Sequence, residues 1–403
     1  MYGSHGGRSR TNIIILFIVV MMCSYFLLHI MLSPLQPVFQ PYLTSKQPPS
    51  YHNYTSSFSF DLDKPVHPNW MSRIPDHINL TSLSIPGTHD TETYDLVDNP
   101  VYQTQNHNLK AQLSAGLRYF DIRGRILINV TAGGEDGDPV IGIFHGGVFT
   151  GYTFEDVLLT LFEFLEEYPS EGIVMRLKQE GSPVRVNQAG VFDDDPDSTS
   201  LRSFEDAFNH YRLGNSLTKP GSAKHLLLPW PPSPASALPV FPTMGQLRSR
   251  IIVLQEFPSI SGSYGVPWKS SHINLEDLWI IPTLAHLEEK WDAIRGKLVE
   301  AAASPDDSDM LFLSHLSASI GVLPIEAAAG PLAEVNGTMI VGMNDRTGLW
   351  LEEGEGRGGE GKTGIIMADF PGQRLVDAVV KRNAWLMENH AVQLGRTELV
   401  VVS

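Results

Sequence analysis

The sequence predicts an α/β protein built on a mainly parallel sheet and carried behind one N-terminal transmembrane helix. Three observations predict it. Short apolar runs of strand length alternate with amphipathic helical stretches, which is the pattern of βαβ units. Three stretches begin apolar and end in charged or titratable residues: S-I-P-G-T-H-D at Ser84–Asp90, Y-F-D-I-R-G-R at Tyr119–Arg125 and F-H-G-G at Phe144–Gly147. Rigid strands that deliver reactive side chains on the following loops are the frame of a catalytic site. The run Ile13–Leu32 is almost wholly apolar, and about 20 such residues cross a bilayer as a helix.

Taken in order, residues 1–12 are polar, with Arg8 and Arg10 and no acidic residue. That flank predicts a cytosolic N-tail and a lumenal or external remainder. Residues 13–32 read as an uncleaved signal anchor; a cleaved signal peptide is the rival, though its core is usually shorter and no small-x-small site follows cleanly. The lone cysteine, Cys23, lies inside this run, so no intrachain disulfide is possible. Four N-x-T sequons, at Asn53, Asn79, Asn129 and Asn336, all fall on the predicted lumenal side and fit the glycosylation rule. Together these predict a single-pass membrane protein of the secretory pathway. Residues 33–70 are rich in Pro and Ser and read as an extended stalk.

Residues 71–390 form the predicted catalytic domain. Strands are expected at Ser82–Pro86, Leu117–Ile122, Val140–Phe144, Gly172–Leu177, Arg250–Leu254, Met310–Leu313 and Gly364–Met367. Leu109–Ala115 reads as a helix stopped by Gly116. The clearest helix follows Thr153, with Phe154, Val157, Leu158, Leu161, Phe162 and Leu165 on one face and Pro169 beyond its end. Leu284–Ala303 reads as another, and Leu375, Val376, Val379 and Leu386 give the last helix its buried face. Residues 181–245 hold an acidic run and P-W-P-P-S-P, and read as a surface insertion without a sustained apolar period. Residues 352–363 read as a flexible loop and 391–403 as a C-terminal tail.

Composition narrows the function. Hydrophobic residues make up 42% and charged residues 18% of the 403, enough for a sizeable core. The formal net charge of −16 argues against a nucleic-acid partner. Of 14 histidines, His89 and His145 stand apart: His89 sits in G-T-H-D and His145 in F-H-G-G, where glycine lets backbone or ligand approach closely, and a nearby carboxylate would orient an imidazole as a base. Either one alone could be structural. Asp90, Asp121 and Arg123 in similar contexts shift the reading toward acid–base chemistry on an anionic substrate.

These motifs, with I-V-M-R-L-K-Q-E at Ile173–Glu180, resemble the X domain of phosphatidylinositol-specific phospholipase C in its bacterial, calcium-independent form. The resemblance spans roughly residues 71–390 and is strongest over 82–180. It implies an incomplete or distorted (β/α) barrel, expected here as a distorted (β/α)8 TIM-type barrel, in keeping with the alternation above. It implies that His89 is the general base for an inositol 2-hydroxyl, and that His145 is the general acid for the diacylglycerol oxygen. Asp90 would support His145, and Asp369, in G-I-I-M-A-D-F, would orient His89. Arg123 would hold the phosphate where calcium-dependent relatives carry acidic residues, so no metal and no cofactor are expected. A plain salt bridge between Arg123 and Asp121 is compatible with that role.

For the headgroup the resemblance implies Lys178, Asp277 and Asp121, with Trp279 as an aromatic platform, although Trp279 reads equally as a core residue. Gln255 and Glu256 stand where the family carries an arginine. The implied activity is cleavage of phosphatidylinositol, or a glycosylated derivative, to inositol 1,2-cyclic phosphate and diacylglycerol. The alternatives are a phosphodiesterase for another phospholipid and a catalytically weak inositol-lipid-binding protein. The implied partners are that lipid and the membrane.

Overall fold

The computed structural model describes residues 54–387, except 130–137, 187–191, 195–201, 229, 231–239, 307, 331–333, 336–337 and 355–360. Its strands are β1 (Ser84–Thr88), β2 (Tyr119–Asn129), β3 (Val140–His145), β4 (Val148–Thr153), β5 (Gly172–Gln179), β6 (Val184–Val186) and β7 (Phe192–Asp194). They continue with β8 (Arg250–Glu256), β9 (Val266–Pro267), β10 (Ile273–Glu276), β11 (Leu311–His315), β12 (Glu334–Val335), β13 (Thr338–Met339) and β14 (Gly364–Ala368). The helices are α1 (Leu109–Ala115), α2 (Phe154–Glu167), α3 (Phe204–Asn209), α4 (Lys219–His225) and α5 (Met244–Leu247). After them come α6 (Leu287–Ala303), α7 (Pro324–Ala329), α8 (Met343–Glu353) and α9 (Gln373–Lys381).

One large sheet follows the path β10-β11-β14-β1-β2-β5-β8-β9, and every neighbouring pair on it is parallel. The β3–β4 hairpin adds antiparallel to β2. Alternation along the strands sorts side chains into layers inside the roll. The lower layers are apolar: Ile85 aligns with Ile365 and Ile365 with Leu313, then Tyr119 with Val174 and Val174 with Ile252. Further toward the C-terminal strand ends, Asp121 aligns with Arg176, then Arg123 with Lys178 and Lys178 with Glu256. Apolar packing therefore fills those lower layers, and the charged layers lie toward one mouth.

Gly87 makes this layering possible. A Cβ there would lie 2.6 Å from the Cβ of Tyr119, so only glycine lets that ring cross the neighbouring strand. Around the sheet, α2 begins at Thr153 with a reciprocal cap to Asp156, and its predicted face is buried. Helix α1 has the predicted bounds. Asn108 caps it by accepting from the Ala111 N–H at 2.9 Å, and Gly116, at φ 121°, closes it. At the bottom, Arg118 and Glu171 form a fully buried ion pair of 2.9 Å. Arg118 also donates to the carbonyls of Leu113, Leu117 and Pro68, which ties the incoming chain to the sheet.

Several expectations need correction. The roll is an open half-barrel and not a (β/α)8 barrel. Among the described residues β9 and β10 do not pair, and no helix separates β8, β9 and β10. β9 is two residues long and contains Pro267, which has no N–H to offer a closing strand. The fold class with a leading transmembrane helix is also overturned. No helix among the described residues is long and apolar enough to cross a membrane, and the expected span 13–32 lies outside them. So do the N-tail, residues 33–53, residues 355–360 of the expected flexible loop and the C-terminal tail.

The expected stalk does not extend to residue 70, because Phe58, Leu62 and Trp70 are buried. Phe58 and Phe60 hydrogen-bond to Gly372 and Phe370. Residues 181–245 are not simply a surface insertion either, since Phe204, Phe208, Tyr211, Trp230 and Phe241 join the main core. The strand expected at 82–86 begins two residues later. Leu80–Ser82 forms a 3-10 turn there, capped by Asn79 Oδ1 accepting from the Thr81 N–H at 3.2 Å. Of the other sequon asparagines, Asn53 and Asn336 and the side chain of Asn129 lie outside the described residues.

Candidate active site

β1 ends at Thr88, and the chain turns so sharply that Asp90 adopts φ 42°, an unusual conformation for a residue with a side chain. Polar side chains hold it there. Gln105 Nε2 donates to the carbonyls of His89 and Ala368 at 2.7 and 3.1 Å. Thr104 Oγ1 donates to the carbonyls of His89 and Asp90 at 3.1 and 3.2 Å. The turn thereby sets His89 and Asp90 above the layer that carries Asp121.

The two imidazoles face each other. Their ring centres are 6.2 Å apart and nearly perpendicular. His89 Nδ1 lies 2.9 Å from Asp369 Oδ1, which comes from the end of β14, and His145 Nδ1 donates to the Tyr102 carbonyl at 2.8 Å. Both Nε2 atoms turn toward one oxygen. Asp90 Oδ2 is 3.1 Å from His89 and 3.3 Å from His145, within ion-pair reach but aligned for a hydrogen bond with neither. His89 keeps 16% of its side chain exposed and His145 keeps 18%, so each presents an edge to the cleft.

Arg123 lies across the floor. Its Nε is 3.0 Å from Asp90 Oδ1, its Nη2 donates to Asp121 Oδ2 at 2.7 Å, and its Nη1 is 3.7 Å from Glu180 Oε1. His89, Asp90 and Asp121 bring ligand-type atoms within 4.8 Å of one another. A guanidinium already bonds both carboxylates, so a divalent ion there would have to displace a fixed cation. The donor set does not fit a resident metal.

Burial and charge tune these groups. Burial, and then Arg123, push His89 well below the ordinary imidazole range. Burial would raise Asp121, but Arg123 and Arg176 overcome it and hold that carboxylate well down. Burial raises Asp90 against the pull of Arg123. It raises Asp369 far more, and Asp90 adds to the effect. The result is a neutral base beside a cation that stays charged.

The residues expected from the sequence separate into two groups. His89, Asp90, Asp121, Arg123, His145 and Asp369 come together as one cluster. Lys178 joins it through Glu180, with Nζ 2.7 Å from Oε2. Asp277 Oδ1 lies 3.4 Å from His315 Nδ1, at the edge of the same cleft. Trp279 sits on the loop after β10, 41% exposed, and its ring stacks on none of these groups. Gln255 is structural: it accepts from the Tyr264 N–H and donates to the Phe257 carbonyl.

Three residues escaped sequence reasoning. Arg176 donates to Asp121 and Glu256 at 3.2 and 2.9 Å, and its guanidinium lies 4.1 Å from the centre of the Trp268 ring. A guanidinium therefore does stand beside Glu256, supplied by the next strand. His315 lies edge-on to His89, with ring centres 5.8 Å apart. The two-residue alternation R-L-K could have revealed Arg176. Trp268 and His315 carry no local signal.

Comparison with known proteins agrees with this geometry. The model of the family described as phosphatidylinositol-specific phospholipase C, X domain, matches residues 80–191. The 1-phosphatidylinositol phosphodiesterase of Listeria monocytogenes is 29% identical over 326 residues, covering 78% of this chain and 84% of that protein. The Staphylococcus aureus protein of the same name is 32% identical over 166 residues, covering 40% of this chain and 46% of that protein. The solved phosphatidylinositol-specific phospholipase C from L. monocytogenes superposes with a TM-score of 0.56 at 26% identity, over 78% of this chain and 98% of that one. With its motifs, its open half-barrel and its paired imidazoles in one place, the chain is similar to the phosphatidylinositol-specific phospholipase C X-domain family, whose model it matches over residues 80–191.

Proposed function

We propose that this protein is a metal-independent phosphodiesterase that cleaves phosphatidylinositol-type lipids. One observation carries the reading: two imidazoles face each other over Asp90, with the Arg123 guanidinium beneath the gap. His89 Nε2 takes the proton of the inositol 2-hydroxyl. The freed oxygen attacks phosphorus, the bond to the diacylglycerol oxygen breaks, and that oxygen takes a proton from His145 Nε2. The products are inositol 1,2-cyclic phosphate and diacylglycerol. Arg123 balances the charge that builds on the phosphoryl oxygens, where other enzymes place a cation.

The lipid would be met at the mouth of the roll. Leu278, Trp279 and Ile280 follow β10, Ile320 follows β11 and Ile260 follows β8, and all are exposed. Apolar side chains on loops beside the site suit contact with a membrane surface despite the acidic net charge. Product analysis with phosphatidylinositol tests the reading. H89A and H145A should each lower turnover by at least about a thousandfold with unchanged melting temperature, and chelator should have no effect. Full activity in either variant, or inhibition by chelator, would refute the assignment.

A further inference from the structure

His315 has no part in the chemistry above, yet it is the third imidazole in the cleft. It closes β11 and is 3% exposed. Its neighbour across the sheet is Met367 and the next inward residue on its own strand is Leu313, so an apolar side chain would have satisfied the packing. A buried imidazole costs free energy unless its nitrogens are used. Nδ1 is used: it donates to the Glu276 carbonyl at 3.1 Å. That contact fixes the tautomer and leaves a lone pair on Nε2, for which the described residues supply no partner. Nδ1 is tied toward β10, and the ring lies edge-on to that of His89, with centres 5.8 Å apart.

We propose that His315 is a specificity-determining residue whose Nε2 accepts a hydrogen bond from a headgroup hydroxyl other than the one that attacks phosphorus. This deepens the proposed function and rests on it. The ring stays neutral, because burial and then the charges of Arg176 and Lys290 push its pKa down to about 3. A neutral acceptor flanked by Asp277 and by the Trp268 ring suits an uncharged polyol. It offers nothing to a further phosphate on that side of the ring.

The test uses the full chain with phosphatidylinositol and with analogues that keep the 2-hydroxyl but lack one of the other headgroup hydroxyls in turn. Wild type should disfavour one analogue by about tenfold or more in kcat/KM. H315F should raise KM for the intact lipid by about tenfold and erase that preference, with a smaller change in kcat. H315Q, which keeps an acceptor, should retain the preference. H315M, of similar length without one, should lose it, so a misfolded phenylalanine variant does not leave the question open. Folded variants that keep the wild-type ranking of analogues would overturn the proposal, leaving His315 a structural residue. Wild type that turns over none of the lipids would end the underlying reading, and this one with it.

Discussion

His89 works only if its protons sit on the correct nitrogen. Asp369 holds Nδ1 at 2.9 Å, so the proton stays there and Nε2 is free to act as base. Asp369→Asn should keep the packing but offer an amide that can present N–H in place of oxygen, favouring the wrong tautomer. A fall of roughly 10³–10⁴ in kcat is expected, with circular dichroism and melting temperature unchanged; a loss of less than tenfold would detach Asp369 from catalysis. Much of this cluster was legible, because Asp121 and Arg123 alternate on one strand and His89, His145 and Asp369 each close another. His315 and Trp268 were not legible. One histidine among 14 shows its purpose only when a distant strand places it against His89.

Among the elements, β1 and β2 set the angle from which the catalytic turn departs. Their pairing depends on Gly87, where a Cβ would also lie 2.8 Å from the Tyr119 carbonyl oxygen. Gly87→Ala should force the strands apart, at a cost of about 1–3 kcal/mol, and lower kcat by displacing His89. Thermal unfolding and single-turnover rates check both effects, and wild-type values for each would show the strands able to give way. The element hardest to read was 181–245. Phe204, Phe208 and Tyr211 are spaced for one helical face, but α3 is only six residues long and prolines and aspartates crowd the flanks. Short helices held by tertiary contacts leave little periodicity to detect.

For the molecule as a whole, stability should bend with pH. Glu92 is buried, and burial, then Asp156 and Asp95, push its pKa up to about 8. An unfolded glutamate titrates near about 4.3. The folded state therefore binds the extra proton between those values, and stability declines as pH rises from about 4.3 toward 8 and then levels. Glu92→Gln should leave the melting temperature unchanged near pH 4 and raise it above pH 8, by up to about 5 kcal/mol in stability. A melting temperature that tracks wild type across that interval would exclude Glu92 as the source.

Closure of the roll was not legible at this scale, because it depends on whether two distant edges meet. They do not, and the consequence falls on what the enzyme can accept. The unfenced flank lies beside Trp268 and Asp277, so sugars attached to the inositol on that side would trail outward through a doorway instead of striking a wall. Enlarging the lipid with a glycan should then change kcat/KM by less than about tenfold, and a hundredfold penalty would mean the doorway is shut.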